Sequence, residues 1–225
     1  MPSEDIAQAC RFLSGLPESV WSEYMRTRDP LSGRIDTVFY RALFDRCGES
    51  GRTEAQRARV ERRFGDLDEL AAHLGVTVRA AASGVQGPVR VFALYTEPDR
   101  IEVDEKNAHL AQSLAERAGL GELMGTATVR DVLLAHELFH VVCRNIEDLP
   151  CQERVVPLVS LGPLRRLSRL PTLEEVTAMA FARELCGLGC QPYVLDYVML
   201  LPSRPQVARA YYARIGDIAQ GVGVW

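Results

Sequence analysis

Lysine is almost missing from this chain. Lys106 is the only one, and arginine carries the rest of the positive charge. Arginine suits bidentate contacts, but a bias spread over the whole chain is a compositional feature before it is a site. There is no surplus of positive charge. A formal net charge of −4 argues against nucleic acid or an anionic membrane surface as partner. No apolar run approaches the ~18 residues of a membrane span. The N-terminus, MPSEDIAQAC, has neither the basic nor the apolar region of a secretory signal. These absences predict a soluble, cytoplasmic protein with no membrane partner. No C-x-x-C pair occurs, so cysteines 10, 47, 143, 151, 186 and 190 are expected to be free thiols. The alternative is a structural zinc built from Cys143, Cys151, Cys186 and Cys190, whose spacing fits no common site. There is no internal repeat, and no feature that sets an oligomeric state.

What is present is enough apolar side chain, 47% of residues, for one sizeable core. Residues 4–47 read as helices broken at Pro17 and Pro30. CGESGRTEAQ, with two glycines, reads as a break and hinge. It sets an expected boundary between an N-terminal helical region (1–50) and the remaining domain (51–225). The charged helix EAQRARVERRFG follows, then DLDELAAHLGV, ended by Gly75. VTVRA begins an extended segment, and GPVRVFALYTEPDRIEVDE alternates on both sides of EPD as a hairpin or meander. NAHLAQSLAERAGLGE is an amphipathic helix, and further helices follow. The order predicts an α+β fold with a small sheet carrying helices on one side. DLDELAAHLGVTVRAAASG also admits a helix-turn-helix reading, hence a DNA- or partner-binding alternative, against which the acidic charge balance weighs.

Histidine is scarce, four in 225 residues, yet two sit four apart in LLAHELFHVV. Thr128 and Asp131 form a capping-box pattern that starts this helix. Its 5.4 Å turn projects His136 and His140 from one face, a spacing that lets two imidazoles reach one zinc ion. Glu137 falls about 100° around the helix, beside the metal, where a general base belongs. The remaining residues from Val132 to Val142 are uncharged, so both histidines need partners. A catalytic zinc usually takes three protein ligands. The metzincin pattern would place a third histidine at position 146, which is isoleucine, and no histidine follows His140. His73 and His109 precede the motif and read as helix-face residues.

A downstream carboxylate is therefore the expected third ligand, and PTLEEVTAMAFARELCG supplies one. In that helix Ala178, Met179, Ala182 and Cys186 form the stripe beneath Glu175, and the small alanines allow close approach to the histidine helix. Glu175 is the favoured ligand and Glu174 its rival. A competing use is a capping box, Thr172-x-x-Glu175, that turns Glu175 back on the backbone.

HELFH (136–140) with Glu175-x-x-Ala178-x-x-Phe181-Ala182 resembles the gluzincin metallopeptidases, closest to the ImmA/IrrE-like and minigluzincin group. DELAAHLGVTVR and the hairpin before the histidine helix resemble that group's lead-in. The resemblance covers about Asp66 to Gly187. It implies a zincin-like catalytic domain that holds Zn2+ through His136, His140 and Glu175, with Glu137 as general base. It also implies hydrolysis of a peptide or protein substrate, by analogy a regulatory partner. Two features depart from the group: Met179 stands where Asn or Asp is usual, and the 141–174 stretch is long and unmatched. VRVFALYTE is a natural edge for an extended substrate. Tyr193, Tyr197, Tyr211 and Tyr212 are the candidate oxyanion donors. A latent or non-catalytic relative, its cleft blocked by the N-terminal helices or the GVGVW tail, is the further alternative.

Overall fold

The computed structural model describes residues 3–81, 92–161 and 164–223. The beginning of the expected first hairpin strand (GPVRV), the ASG end of the helix-turn-helix stretch and the last two residues of GVGVW lie outside them.

Four helices open the chain: α1 (Ser3–Ser14), α2 (Glu18–Arg28), α3 (Thr37–Arg62) and α4 (Leu67–His73). The breaks after α1 and α2 fall at Pro17 and Pro30, as proline's missing N–H dictates. The break expected in CGESGRTEAQ is absent. That stretch lies inside α3, so the 50/51 boundary falls mid-helix. Gly48, Gly51, Ala55 and Ala58 are buried on one side of α3. At Gly51 a methyl group would stand 2.3 Å from the Thr177 carbonyl oxygen and 2.9 Å from the Phe181 nitrogen. The glycine is there so that two helix backbones can touch, and local propensity yields to that packing.

Strands β1 (Thr77–Ala80), β2 (Ala93–Thr96) and β3 (Arg100–Val103) form one sheet in the order β1-β3-β2. β1 runs parallel to β3, and β2 pairs antiparallel with β3 across Glu97–Asp99. The extended reading of VTVRA and the hairpin about EPD are thus both present. Because β1 follows Gly75 directly, the helix-turn-helix reading lacks its second helix through residue 81. Among the described residues β2 is an edge strand. Phe92 O accepts from Asp104 N, so antiparallel alternation turns the Ala93 and Tyr95 backbone groups away from β3.

Helices α5 (Glu105–Arg117), α6 (Gly121–Met124) and α7 (Val129–Cys143) follow, and α7 lies against β2 and β3. The 141–174 stretch, unassigned from sequence, contains a 3-10 turn (Pro150–Gln152) and an antiparallel hairpin of β4 (Val156–Leu161) and β5 (Leu164–Ser168). Helices α8 (Pro171–Cys186), α9 (Tyr193–Leu200) and α10 (Pro205–Gly221) complete the chain. The fold is α+β and mostly helical. Among the described residues no helix is long and apolar enough to cross a membrane. The α8 helix is gripped from both sides, by α3 along the glycine seam and by α7, where Phe139 meets Phe181 with ring centres 5.6 Å apart.

Two glycines of α3 give a paired prediction. Nothing but the end of Arg52 comes within 4 Å of a methyl group at Gly48, so Gly48→Ala gains up to about 1 kcal/mol of helix propensity. Gly51→Ala has the same propensity gain but collides with α8 backbone, and a net loss of about 1–3 kcal/mol is expected. Urea denaturation of the two variants checks it, and equal stability would remove the close α3–α8 contact.

Candidate metal centre

Helix α7 starts at a complete capping box. Thr128 accepts from the Asp131 N–H, and Asp131 accepts from the Thr128 N–H at 2.8 Å. This fixes the start of a helix whose third and fourth turns carry His136, Glu137 and His140. Helix α8 starts differently from the sequence expectation. Thr172 is not its cap, and no capping box with Glu175 forms. Asp29, at the end of α2 and 2% exposed, reaches across instead and accepts from Thr172 N at 3.2 Å and from Thr172 Oγ1 at 2.7 Å. Tyr40 OH meets the same hydroxyl at 2.8 Å. A carboxylate on the first-turn N–H groups satisfies donors that would otherwise be orphaned. It also frees Glu175 to face α7.

The structure brings His136, His140 and Glu175 together, each offering one ligand atom within 4.8 Å of the others. The two Nε2 atoms are 3.4 Å apart, His136 Nε2 is 3.2 Å from Glu175 Oε2, and His140 Nε2 is 3.8 Å from Glu175 Oε1. A tetrahedral ion with bonds of 2.0–2.1 Å needs ligand atoms about 3.3–3.4 Å apart. Two of the three distances fall near that spacing, and the cluster could hold a metal ion. Among the described residues it is the only such group of three, so the four-cysteine zinc is not formed. All six cysteines are free. Cys143 and Cys151 lie together, and the Cys151 thiol holds the Cys143 thiol down at about 7.

Glu174 is not a member of the triad. Its Oε1 lies 2.9 Å from His140 Nδ1. Accepting that N–H fixes the tautomer that leaves the Nε2 lone pair aimed at the shared point. The partner that Met179 cannot supply comes from the residue next to the ligand, about 100° around the same helix. Met179 itself lines the neighbouring cavity. His136 Nδ1 is buried and has no hydrogen-bond partner among the described residues.

Glu137 is 8% exposed, and its Oε2 accepts from the Tyr95 N–H of β2 at 2.7 Å. Tyr95 is held in turn by its hydroxyl, which donates to Pro98 O at 2.8 Å, and by Arg144, which contacts that hydroxyl from the end of α7. Thus the edge strand and the histidine helix are locked together at the residue expected to act as base.

Burial opposes a charge on His136, but the Glu175 carboxylate outweighs it and lifts the imidazole to about 9. Burial likewise works to raise Glu175, while contact with His136 and the charges of His140 and Arg28 hold it at about 2. Burial raises Asp196 to about 6, against Arg28 and His136. Sequence reasoning missed Asp196 and Asp29. Both stand outside any motif and reach the site only through tertiary packing.

His136 and Glu175 open on a cavity of about 530 Å³ walled by β2, α7, α8, α9, α10 and α2. Of the four tyrosines considered as oxyanion donors, only Tyr211 lines it, and its hydroxyl donates to Tyr193 O at 2.7 Å. Tyr193, Tyr197 and Tyr212 do not reach it. Of the N-terminal helices named in the latent-enzyme alternative, α2 lines the cavity through Tyr24 and Arg28, and no described residue of the GVGVW tail lines it. Comparison with known protein families, curated proteins and solved structures finds no match to this chain.

Two predictions follow from this geometry. In the metal-free protein His136 holds a proton below about 9, and a metal takes only the neutral ring. Zinc affinity should therefore rise about tenfold per pH unit from neutrality towards that value and then level off. Calorimetric titration at several pH values reads this directly, and a flat profile would contradict it. Glu174→Gln should weaken zinc about 10–100-fold without removing a ligand, as measured by competition with a chromophoric chelator.

Proposed function

We propose that this chain is a zinc-dependent metallopeptidase of the gluzincin type, with His136, His140 and Glu175 holding the ion and Glu137 as general base. The observation that carries the reading is the convergence of the two Nε2 atoms, 3.4 Å apart, on the Glu175 carboxylate, whose Oε2 is 3.2 Å from His136 and whose Oε1 is 3.8 Å from His140, with the Glu137 carboxylate beside them on the cavity wall. Bound there, zinc would acidify a water molecule and polarise the scissile carbonyl.

The chain's own residues do the rest. Glu137 takes the proton of the attacking water and passes it to the departing amine. An extended substrate adds to the free edge of β2 through the outward backbone groups of Ala93 and Tyr95. Glu137 now occupies the Tyr95 N–H, so turning it toward the water releases that donor for the substrate. Glu174 keeps His140 in its ligating tautomer. Limited cleavage of a regulatory partner is the activity that the gluzincin resemblance suggests.

Metal analysis and a peptide-library assay test this. The protein purified with zinc should carry about one ion per chain. Glu137→Gln should keep that ion and lose hydrolysis by about 10²–10⁴-fold, whereas His140→Ala should lose the ion itself. A Glu137→Gln variant as active as the parent would refute the base assignment.

A further inference from the structure

We infer that the cavity beside the metal centre binds a peptide carrying a carboxylate next to a large apolar side chain. The inference rests on the peptidase reading only for calling the ligand a peptide. The wall running from His136 toward the start of α7 is apolar: Val129, Val132 and Leu133 face Leu195, Met199 and Leu200. A volume of about 530 Å³ accommodates a bulky side chain with its neighbours. The wall also holds three arginines, Arg28, Arg204 and Arg214, in a chain whose net charge is −4.

Arginines elsewhere on this protein pair with carboxylates, as Arg130 does with Asp68 and Glu105 at 2.8 and 2.9 Å. Among the described residues, none of the three cavity arginines has a carboxylate oxygen in ion-pair contact. Asp196 is the one wall carboxylate besides Glu137 and Glu175, and its field acts on Arg28. Arg204, half-buried, and Arg214, exposed, thus have no carboxylate in ion-pair contact among the described residues.

These two flank one face of α10. Arg204, Val207, Ala210, Tyr211 and Arg214 all line the cavity, and their spacing of three, three, one and three residues is a single helical stripe. Arg214 is already oriented. Its Nη2 donates to Thr27 Oγ1 at 2.9 Å, and its guanidinium lies 5.8 Å from the centre of the Tyr24 ring. The remaining N–H groups stay available for an anion. Guanidinium groups bordering an apolar pocket select a planar oxyanion with an apolar neighbour.

The carboxylate has two sources, a peptide C-terminus or an acidic side chain following the apolar residue. Titration calorimetry on the full-length, metal-free protein separates them and avoids direct ligation of the probe to zinc. The probes are N-acetyl-Ala-Phe as free acid, the same peptide as its amide, and N-acetyl-Ala-Phe-Glu amide. The inference expects one of the two acids to bind about tenfold or more tighter than the neutral amide. A preferred free acid means a terminal carboxylate, and a preferred Glu peptide means an internal one. Arg204→Gln and Arg214→Gln should each reduce that preference, Arg204→Lys should retain part of it, and Arg117→Gln, outside the cavity, should not change it. Equal binding of all three probes, or a preference untouched by both glutamine variants, overturns the inference. Should the acid preference hold while no peptide is ever cleaved, the peptidase reading fails and the pocket assignment stands.

Discussion

Two imidazole nitrogens and a carboxylate oxygen converge on one point in this protein, and the groups that aim them leave little freedom. His140 is turned by Glu174 so that its Nε2 presents a lone pair. That lone pair faces His136 Nε2 at 3.4 Å, and Glu175 completes the triangle. Without a cation or a proton at the centre, the arrangement sets three acceptors against one another. The metal-free protein answers with a proton, held on His136 up to about 9 by Glu175. A divalent cation answers the same need with more charge and three bonds. The strength of the imidazole–carboxylate contact is thus the obstacle a metal must displace and also the sign that a positive charge belongs there.

Holding that triangle is a problem of helix placement. The α8 helix must bring Glu174 and Glu175 to opposite sides of the His140 ring, so its depth, rotation and starting point all matter. Depth comes from Gly51, where α3 and α8 backbones touch. The starting point comes from Asp29, which binds the Thr172 N–H and hydroxyl from the end of α2. Burying that carboxylate is costly unless its lone pairs are used. Here one oxygen takes two donors from Thr172 and the other takes the Leu31 N–H at 2.8 Å. Rotation is set where Ala178 and Ala182, both fully buried, let α7 approach. The N-terminal helices therefore belong to the metal centre structurally, though they contribute no ligand.

The sequence made the triad legible because each member sits in a periodic context. Histidines four apart on an uncharged helix and a carboxylate heading an alanine stripe are patterns of spacing, and spacing survives without a structure. The hairpin about EPD and the proline breaks were legible for the same reason. Gly51 was misread because glycine in a polar stretch signals a turn by local propensity, and only a partner backbone explains it as a contact. The competing Thr172 capping box does not form because Asp29, 143 residues away, outcompetes a local cap. Glu174 appeared only as a rival ligand, since the side of the ring it reaches depends on how α8 is rotated against α7. The β4–β5 hairpin was missed because prolines at 157 and 163 interrupt its alternation.

Chemistry and selectivity come from different parts of this chain. The histidine helix, the glutamate helix and strand β2 all lie between Asp66 and Gly187. The far wall of the cavity does not. Tyr24 and Arg28 come from α2, and Leu195 to Arg214 from α9 and α10. On the proposed peptidase reading, base and ligands sit on one scaffold while outlying helices close the pocket, so the pocket can change without disturbing the proposed ligand set. It also follows that trimming either end is not a neutral way to expose the cleft. Removing α2 takes away Asp29's anchorage of α8 together with two wall residues, and removing α10 takes away Arg214 and the apolar stripe beside it. The helices at both ends hold the cleft in shape, so an activity lost on truncation reports a dismantled pocket.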